Sequence, residues 1–228
     1  RQKDDAMSTL FAPTDIGGLP FPQSLTEAYR PQTIGEFVGL AKHKAILTKL
    51  VGNPRPCALL FFGGPGTGKS SMAQAFARQI EAEIHHLPSQ DAKLETLQSV
   101  AATCQRVPYD FQIGCACKWH AVILEEADLL SSASQNYLLS KLDGTSPCPQ
   151  TLWILTANSV NKFEDRFTSR LIQLPKFNGY SAGGDVRALL EKIWTERAGD
   201  TPMPDFSRVP TSNVREALQW LELELLMV

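Results

Sequence analysis

The stretch "CALLFFGGPGTGKSS" runs from Cys57 to Ser71 and joins an apolar run to a glycine-rich turn. A short apolar run bounded by turn signals, here "GNPRP" just before it, reads as a buried strand. Four glycines and a proline then crowd the space before Lys69, Ser70 and Ser71. Gly63 to Ser70 fits G-x-x-x-x-G-K-[ST], the phosphate loop. The chemistry needs these residue types. Successive backbone N–H groups must turn inward around a phosphate, and Cβ atoms would obstruct both the turn and the approach. The next segment, "KSSMAQAFARQI", puts Met72, Ala75, Phe76 and Ile80 on one helical face, so a helix N-terminus adds its positive dipole to the loop. Gly63, Gly64, Pro65, Gly66, Thr67, Gly68 and Ser71 are then expected to cradle the phosphates of a nucleotide. Lys69 would reach the β- and γ-phosphates, and the Ser70 hydroxyl would ligate Mg²⁺.

Outward from this loop, strands alternate with helices. "AEIHHL", "HAVILEE", "TLWILTAN" and a shorter "RLIQLPKF" read as strands. "AKLETLQSVAATCQ" and "SSASQNYLLSKLDG" read as helices, the second closed by Gly144. This predicts an α/β fold: a three-layer P-loop domain with a parallel sheet covered on both faces. Before the loop, "FVGLAKHKAILTKL" (Phe37–Leu50) predicts a helix with Ile46, Leu47 and Leu50 on its buried face. Near "FNGYSAGG" the pattern changes, and only the helices "DVRALLEKIWTERA" and "SNVREALQWLELELL" follow. Asn213 with Glu216 resembles a capping box at the start of the last one. The expected organisation is an N-terminal arm over 1–27, the α/β domain over 28–178 and a small all-helical lid over 179–228.

Length and charge narrow the class. The chain has 228 residues and a formal net charge of −2, which argues against coating nucleic acid by bulk charge but leaves room for a local basic stripe. No apolar run is long enough to span a bilayer, and "RQKDDAMSTL" has no apolar core for a signal peptide. The start at Arg1 rather than Met reads as an excised piece. Five cysteines, an odd number, point to a reducing compartment, so the expected location is cytoplasmic, or nuclear if the source is eukaryotic.

Acids at the end of another strand are the next requirement for hydrolysis. "HAVILEEADLL" supplies Glu125 and Glu126 after four apolar residues. Glu125 is expected to hold Mg²⁺ and Glu126 to polarise the attacking water. Asn158 ends the strand "TLWILTAN", where a polar amide faces the ligand crevice of a parallel sheet. It is expected to hold that water or to sense the γ-phosphate.

"GGPGTGKSS", "VILEEAD", "ILTAN", "FTSRL" and "NVREAL" stand in the order used by AAA+ ATPases, which the chain resembles from Tyr29 to about Leu225. Within them it looks most like the clamp-loader branch, the replication factor C small subunits and bacterial clamp-loader subunits. "YRPQTIGEFVGLAKHK", "HLPSQDAKLETLQ" and "EEADLLSSASQNYLLSKLD" carry that likeness. The resemblance implies that Tyr29, Arg30, Pro31, Val38 and Gly39 lie near adenine. It makes Arg170 in "TSRL" the arginine finger acting on a neighbouring subunit's nucleotide, with Arg166 as runner-up. It makes Arg215 in "NVREAL" the lid arginine that reaches the γ-phosphate. It implies a homo- or hetero-oligomeric AAA+ ring, slow ATP hydrolysis unless assembled, DNA and a clamp or other replication or repair protein as partners, and no membrane.

The sequence also departs from the branch. Glu125 stands where Asp is usual, and one extra methylene moves a carboxylate by roughly 1.5 Å. Leu171 replaces a cysteine, the lid is short, and loaders continue into a helical collar for which nothing after Val228 remains. Two other readings therefore stay open: a replication-fork or Holliday-junction-type DNA maintenance ATPase, and a weakly hydrolysing, ATP-bound ring-assembly subunit. A protein-remodelling machine fits less well, because "LPSQDAKLE" has no aromatic pore residue. Cys104, Cys115, Cys117 and His120 invite a zinc reading, but Cys115 and Cys117 are separated by one residue where zinc sites use two to four, so zinc is not expected. His85 and His86 should face opposite ways on a strand and not share a metal.

Overall fold

A computed structural model describes residues 23–110, 115–142, 148, 150–178 and 184–227. The side chains of 110, 115, 116 and 208 are outside that description. The expected helix stop at Gly144, the boundary near Gly179 and most of the arm also lie outside the described residues.

The sheet forms where the apolar runs predicted it. Strands β1 (Cys57–Phe62), β2 (Ala82–Pro88), β5 (Trp119–Glu125), β6 (Thr151–Ala157) and β7 (Ile172–Gln173) make a parallel sheet in the order β2-β5-β6-β1-β7. Between β2 and β5 lies a small antiparallel pair, β3 (Tyr109–Asp110) and β4 (Cys115–Ala116), that the periodicity does not announce. The period of two divides the central strands between two cores. Leu59, Phe61, Ile123 and Ile154 face one apolar cluster, while Leu60, Val122, Leu124 and Leu155 face the other.

Helices close both faces. On one side pack α2 (Ala41–Gly52) and α3 (Lys69–Gln79), with Leu47, Met72 and Phe76 fully buried. On the other pack α4 (Leu94–Thr103), α5 (Ser132–Leu142) and α6 (Asp165–Thr168), through Leu97, Leu138 and Phe167. Truncating a side chain as deeply buried as Phe76 to Ala costs about 3–5 kcal/mol.

Helix α2 starts four residues later than expected, because Gly39 and Leu40 are left-handed with φ of 63° and 52°. Its inward face also differs. Ile46 is exposed, and His43 is buried instead, with Nε2 2.8 Å from the Pro175 carbonyl and its ring 4.1 Å from that of Phe177. A histidine satisfied on one nitrogen takes the place that an apolar count assigns to isoleucine.

The helices of the expected lid have their own apolar cluster. Helices α7 (Gly184–Ala198) and α8 (Val214–Leu226) bury Val186, Leu190, Ile193, Trp194, Leu218 and Leu221 against each other. Leu25, from the short helix α1 (Leu25–Ala28), is buried in the same cluster, and Tyr29 and Val38 pack against it. The segment ahead of α2 therefore touches the C-terminal helices: Tyr29 Oη donates to Glu196 Oε2 at 2.8 Å and accepts from Arg197 Nε at 3.2 Å.

Candidate nucleotide site

The glycine loop joins β1 to α3 at the carboxyl edge of the sheet. Gly63, Gly66 and Gly68 have positive φ, and α3 begins with no side-chain cap on its N-terminus. Two of these glycines are needed for space. A Cβ at Gly63 would overlap the Phe177 carbonyl oxygen, and one at Gly66 would overlap Asn213 Oδ1. The first fixes the end of β1 against the strand region beyond β7. The second brings the loop against the N-cap of α8, so the phosphate loop and the lid are in contact.

Lys69 is buried within the loop. Its Nζ donates to the carbonyls of Gly63 at 2.9 Å and Gly64 at 2.7 Å, and to Asn158 Oδ1 at 3.1 Å. Burial lowers its pKa from the ordinary lysine value. Asp128 pulls it back up, Arg215 lowers it further, and Glu126 raises it. Asn158, expected to hold water or sense phosphate, orients the loop lysine here.

The other strand ends complete the site. Pro65 to Ser71, Glu126, Thr156, Ala157, Asn158 and Arg215 line a cavity of about 120 Å³. Glu126 is left-handed with φ 49°, and its N–H donates to Thr156 Oγ1 at 3.2 Å. Thr156 escaped the sequence reading, although it stands two residues before Asn158 on the same strand face. Asp128 escaped it too. It is buried, and its Oδ1 accepts from the Asn158 N–H at 3.3 Å. Its signal was present as the last acid of "EEAD".

Glu125 is placed differently from Glu126. Its Oε1 lies 3.2 Å from His86 Nε2 on β2, and it is not among the residues lining the loop cavity. His86 and His85 do diverge as alternation requires, since His85 lies against His120.

A second cavity, of about 110 Å³, adjoins the first through Gly66, Gly68, Ser71 and Arg215. Tyr29, Arg30, Pro31, Val38, Leu189, Val214 and Leu218 contribute to its wall, whereas Gly39 does not. A chamber that is more apolar, though it includes Arg30 and Glu36, beside a polar, glycine-lined one suits a nucleotide whose base and phosphates differ in polarity. Arg215 borders both. Arg170 is half-buried just beyond α6, where its Nη1 donates to the Arg166 carbonyl at 2.8 Å. It lines neither cavity of its own chain. Arg166 is tied to Glu164 and Asn136.

A phosphate loop followed by its helix, neighbouring strands that deliver an acid and an asparagine to it, and a helical lid with an arginine on the same cavity define a P-loop nucleotide-binding domain. The chain belongs to the AAA family, the ATPase family associated with various cellular activities, whose profile matches residues 59–176, just over half of it. It is related to replication factor C subunits. Replication factor C small subunit 1 of Pyrobaculum arsenaticum is 32% identical over 146 residues, which cover 63% of this chain and 44% of the relative. Replication factor C subunit 3 of Saccharomyces cerevisiae is 29% identical over 154 residues, covering 63% and 42%. The chain thus spans less than half the length of these relatives. In fold it is similar to the Thermotoga maritima RuvB Holliday junction branch migration motor, with a TM-score of 0.63 and 18% identity over 85% of this chain and 64% of that one. Among the described residues no helix is long and apolar enough to cross a membrane.

Proposed function

We propose that this chain binds ATP with Mg²⁺ and acts as a clamp-loader-type AAA+ ATPase, coupling ATP binding and hydrolysis to the assembly or remodelling of a DNA-bound protein complex. The observation that carries the reading is the pair of adjoining cavities, one glycine-lined around Lys69 and one more apolar, with Arg215 of the lid bordering both. Kinship with replication factor C small subunits supports the clamp-loader branch.

Gly63 to Ser71 and the start of α3 hold the phosphates, with Lys69 as their counter-charge. The Ser70 hydroxyl would hold the metal ion, with Glu125 as its expected second ligand although that carboxylate faces His86 here, and the ion would neutralise charge on the phosphate oxygens. Glu126 polarises the attacking water. Asn158 aligns Lys69, and Asp128 in turn fixes the backbone N–H of Asn158. Tyr29, Arg30, Pro31 and Val38 receive the base. Arg215 transmits the state of the phosphate to the lid. Arg170, outside its own chain's cavities, completes the site of the next subunit, where a fixed guanidinium is worth about a thousandfold or more in rate. The partners are other AAA+ subunits, DNA and a clamp or other replication or repair protein.

Steady-state ATP hydrolysis measured against protein concentration, alone and with primed DNA or a four-way junction, tests this. Turnover should rise with concentration and fall sharply in Glu126→Gln and in Arg170→Ala while both variants still bind ATP. Retained turnover in Arg170→Ala at every concentration contradicts the shared site. Stimulation by the junction but not by primed DNA moves the assignment to a branch-maintenance ATPase.

The Glu125–His86 pair favours a second reading, a ring-assembly subunit that binds ATP and hydrolyses it poorly. In that case wild type turns over no faster than Glu126→Gln, and Glu125→Asp, too short to keep the His86 contact, is the substitution that raises turnover.

A further inference from the structure

Away from the nucleotide site, three metal-ligating side chains meet on one face of the sheet, with the Glu83 carboxylate beside two of them. Glu83 and His85 lie two apart on β2, and Glu83 stands opposite His120 in the β2–β5 register. Alternation turns all three toward the face covered by α4, where Leu87, Val122 and Leu124 also point. Cys104, the C-cap of α4, comes down on the same spot. His85, Cys104 and His120 each offer a ligand atom, and these atoms lie within 4.8 Å of one another. Glu83 touches both histidines, with Oε1 3.7 Å from His85 Nε2 and Oε2 3.3 Å from His120 Nδ1. His120 and Cys104 are each only 1% exposed. Such a polar group on an apolar face is costly unless its members are partnered.

We propose that Glu83, His85, Cys104 and His120 form a closed binding site for a divalent cation of the zinc class. The donor set is two imidazole nitrogens, one sulfur and one carboxylate, which suits a borderline-soft tetrahedral ion rather than Mg²⁺ or Ca²⁺. A carboxylate and a thiolate balance the two positive charges. The two nitrogens stand 3.0 Å apart, near the roughly 3.3 Å separation that tetrahedral zinc with nitrogen bonds of about 2.05 Å requires. The outer contacts are those such ligands need. His120 Nε2 lies 2.9 Å from the Arg106 carbonyl, a donor contact that leaves Nδ1 to face the site, and Glu83 Oε2 accepts from the Tyr109 N–H at 2.8 Å. The sequence points to Cys104 and His120 as candidates but groups them with Cys115 and Cys117. The fold supplies His85 from β2, and long-range pairing rather than spacing assembles the set. Such an ion would pin β2, β5 and the end of α4 together, one residue from the His86 that holds Glu125.

Zinc content after purification without chelator, and titration of the metal-free chain with zinc ion against a chromophoric chelator, test the proposal. One equivalent should bind, and His85→Gln and Cys104→Ser should each weaken binding at least about a hundredfold. Cobalt ion should give a sulfur-to-metal charge-transfer band that is lost in Cys104→Ser and kept in Cys117→Ser and Cys115→Ser. ATP binding, at a separate site, reports that each variant is folded. If Cys104→Ser fails that check, His85→Gln decides, since its side chain is 15% exposed where Cys104 is 1%. The proposal is overturned if wild type binds zinc no more tightly than about 0.1 mM, which leaves the two histidines as a plain hydrogen-bonded pair. It is equally overturned if the cobalt band follows Cys115 or Cys117, or if His85→Gln binds like wild type.

Discussion

Replacing Gly66 by Ala tests the contact between phosphate loop and lid. Gly66 has φ 68°, a left-handed conformation that costs an alanine roughly 1–2 kcal/mol. The new Cβ would also overlap Asn213 Oδ1 and lie 2.5 Å from its Cγ. Asn213 has little freedom to retreat, because that oxygen accepts from the N–H groups of Arg215 at 3.1 Å and Glu216 at 3.3 Å to cap α8. Displacing it forfeits the cap, about 1 kcal/mol. Gly66→Ala should therefore destabilise the chain by about 2–3 kcal/mol and Asn213→Ala by about 1 kcal/mol. The cap can be lost only once, so the double variant should cost about 2–3 kcal/mol, less than the sum, with a coupling of about 1 kcal/mol. Urea unfolding of all four proteins measures this, followed by circular dichroism and by the fluorescence of Trp194 and Trp220 in the lid. Additivity within about 0.3 kcal/mol, or a Gly66→Ala cost below about 0.5 kcal/mol, would refute the claim that loop and cap share one space.

Three further outcomes are expected. Gly63→Ala should lower the thermal midpoint by several degrees, since its Cβ meets backbone at Phe177 rather than a movable side chain, whereas Gly52→Ala, with open space around it, should leave the midpoint unchanged or raise it. Lys69→Ala should weaken ATP binding by about thirtyfold or more, the equivalent of about 2 kcal/mol from one charged hydrogen-bonding partner, as read by isothermal titration. Burial lowers the pKa of His43 below the ordinary histidine value, so the folded chain resists taking a proton that the unfolded chain accepts. Its contribution to stability is present above about pH 6.5 and is lost as the pH falls through the lower folded value. Urea midpoints between pH 7.5 and 5.5 should decline, and His43→Gln should make that decline shallower.

The parts legible in the sequence are those fixed by local physics. Gly66 and Gly68 must be glycine for backbone reasons, so the loop is visible in a dozen letters, and the period of two in "HAVILEE" and "TLWILTAN" announces buried strands regardless of what they pair with. Asn213 is legible as a cap for the same reason. What stayed hidden depends on which elements meet. Nothing near Asn213 in sequence says that its amide packs on Gly66, almost 150 positions earlier. Glu125 and Glu126 are adjacent and chemically alike, yet the left-handed turn at Glu126 sends one carboxylate to the nucleotide loop and leaves the other against His86. The acid box was legible as a composition but not as a division of labour, because the division is set by a neighbouring strand. His85, Cys104 and His120 follow the same rule. Parallel pairing of β2 with β5 and the docking of α4 across them create a ligand set that no spacing contains. Tertiary pairing thus decides chemistry in this chain wherever the residues are ordinary ones, and local pattern decides it only where the backbone itself is the functional group.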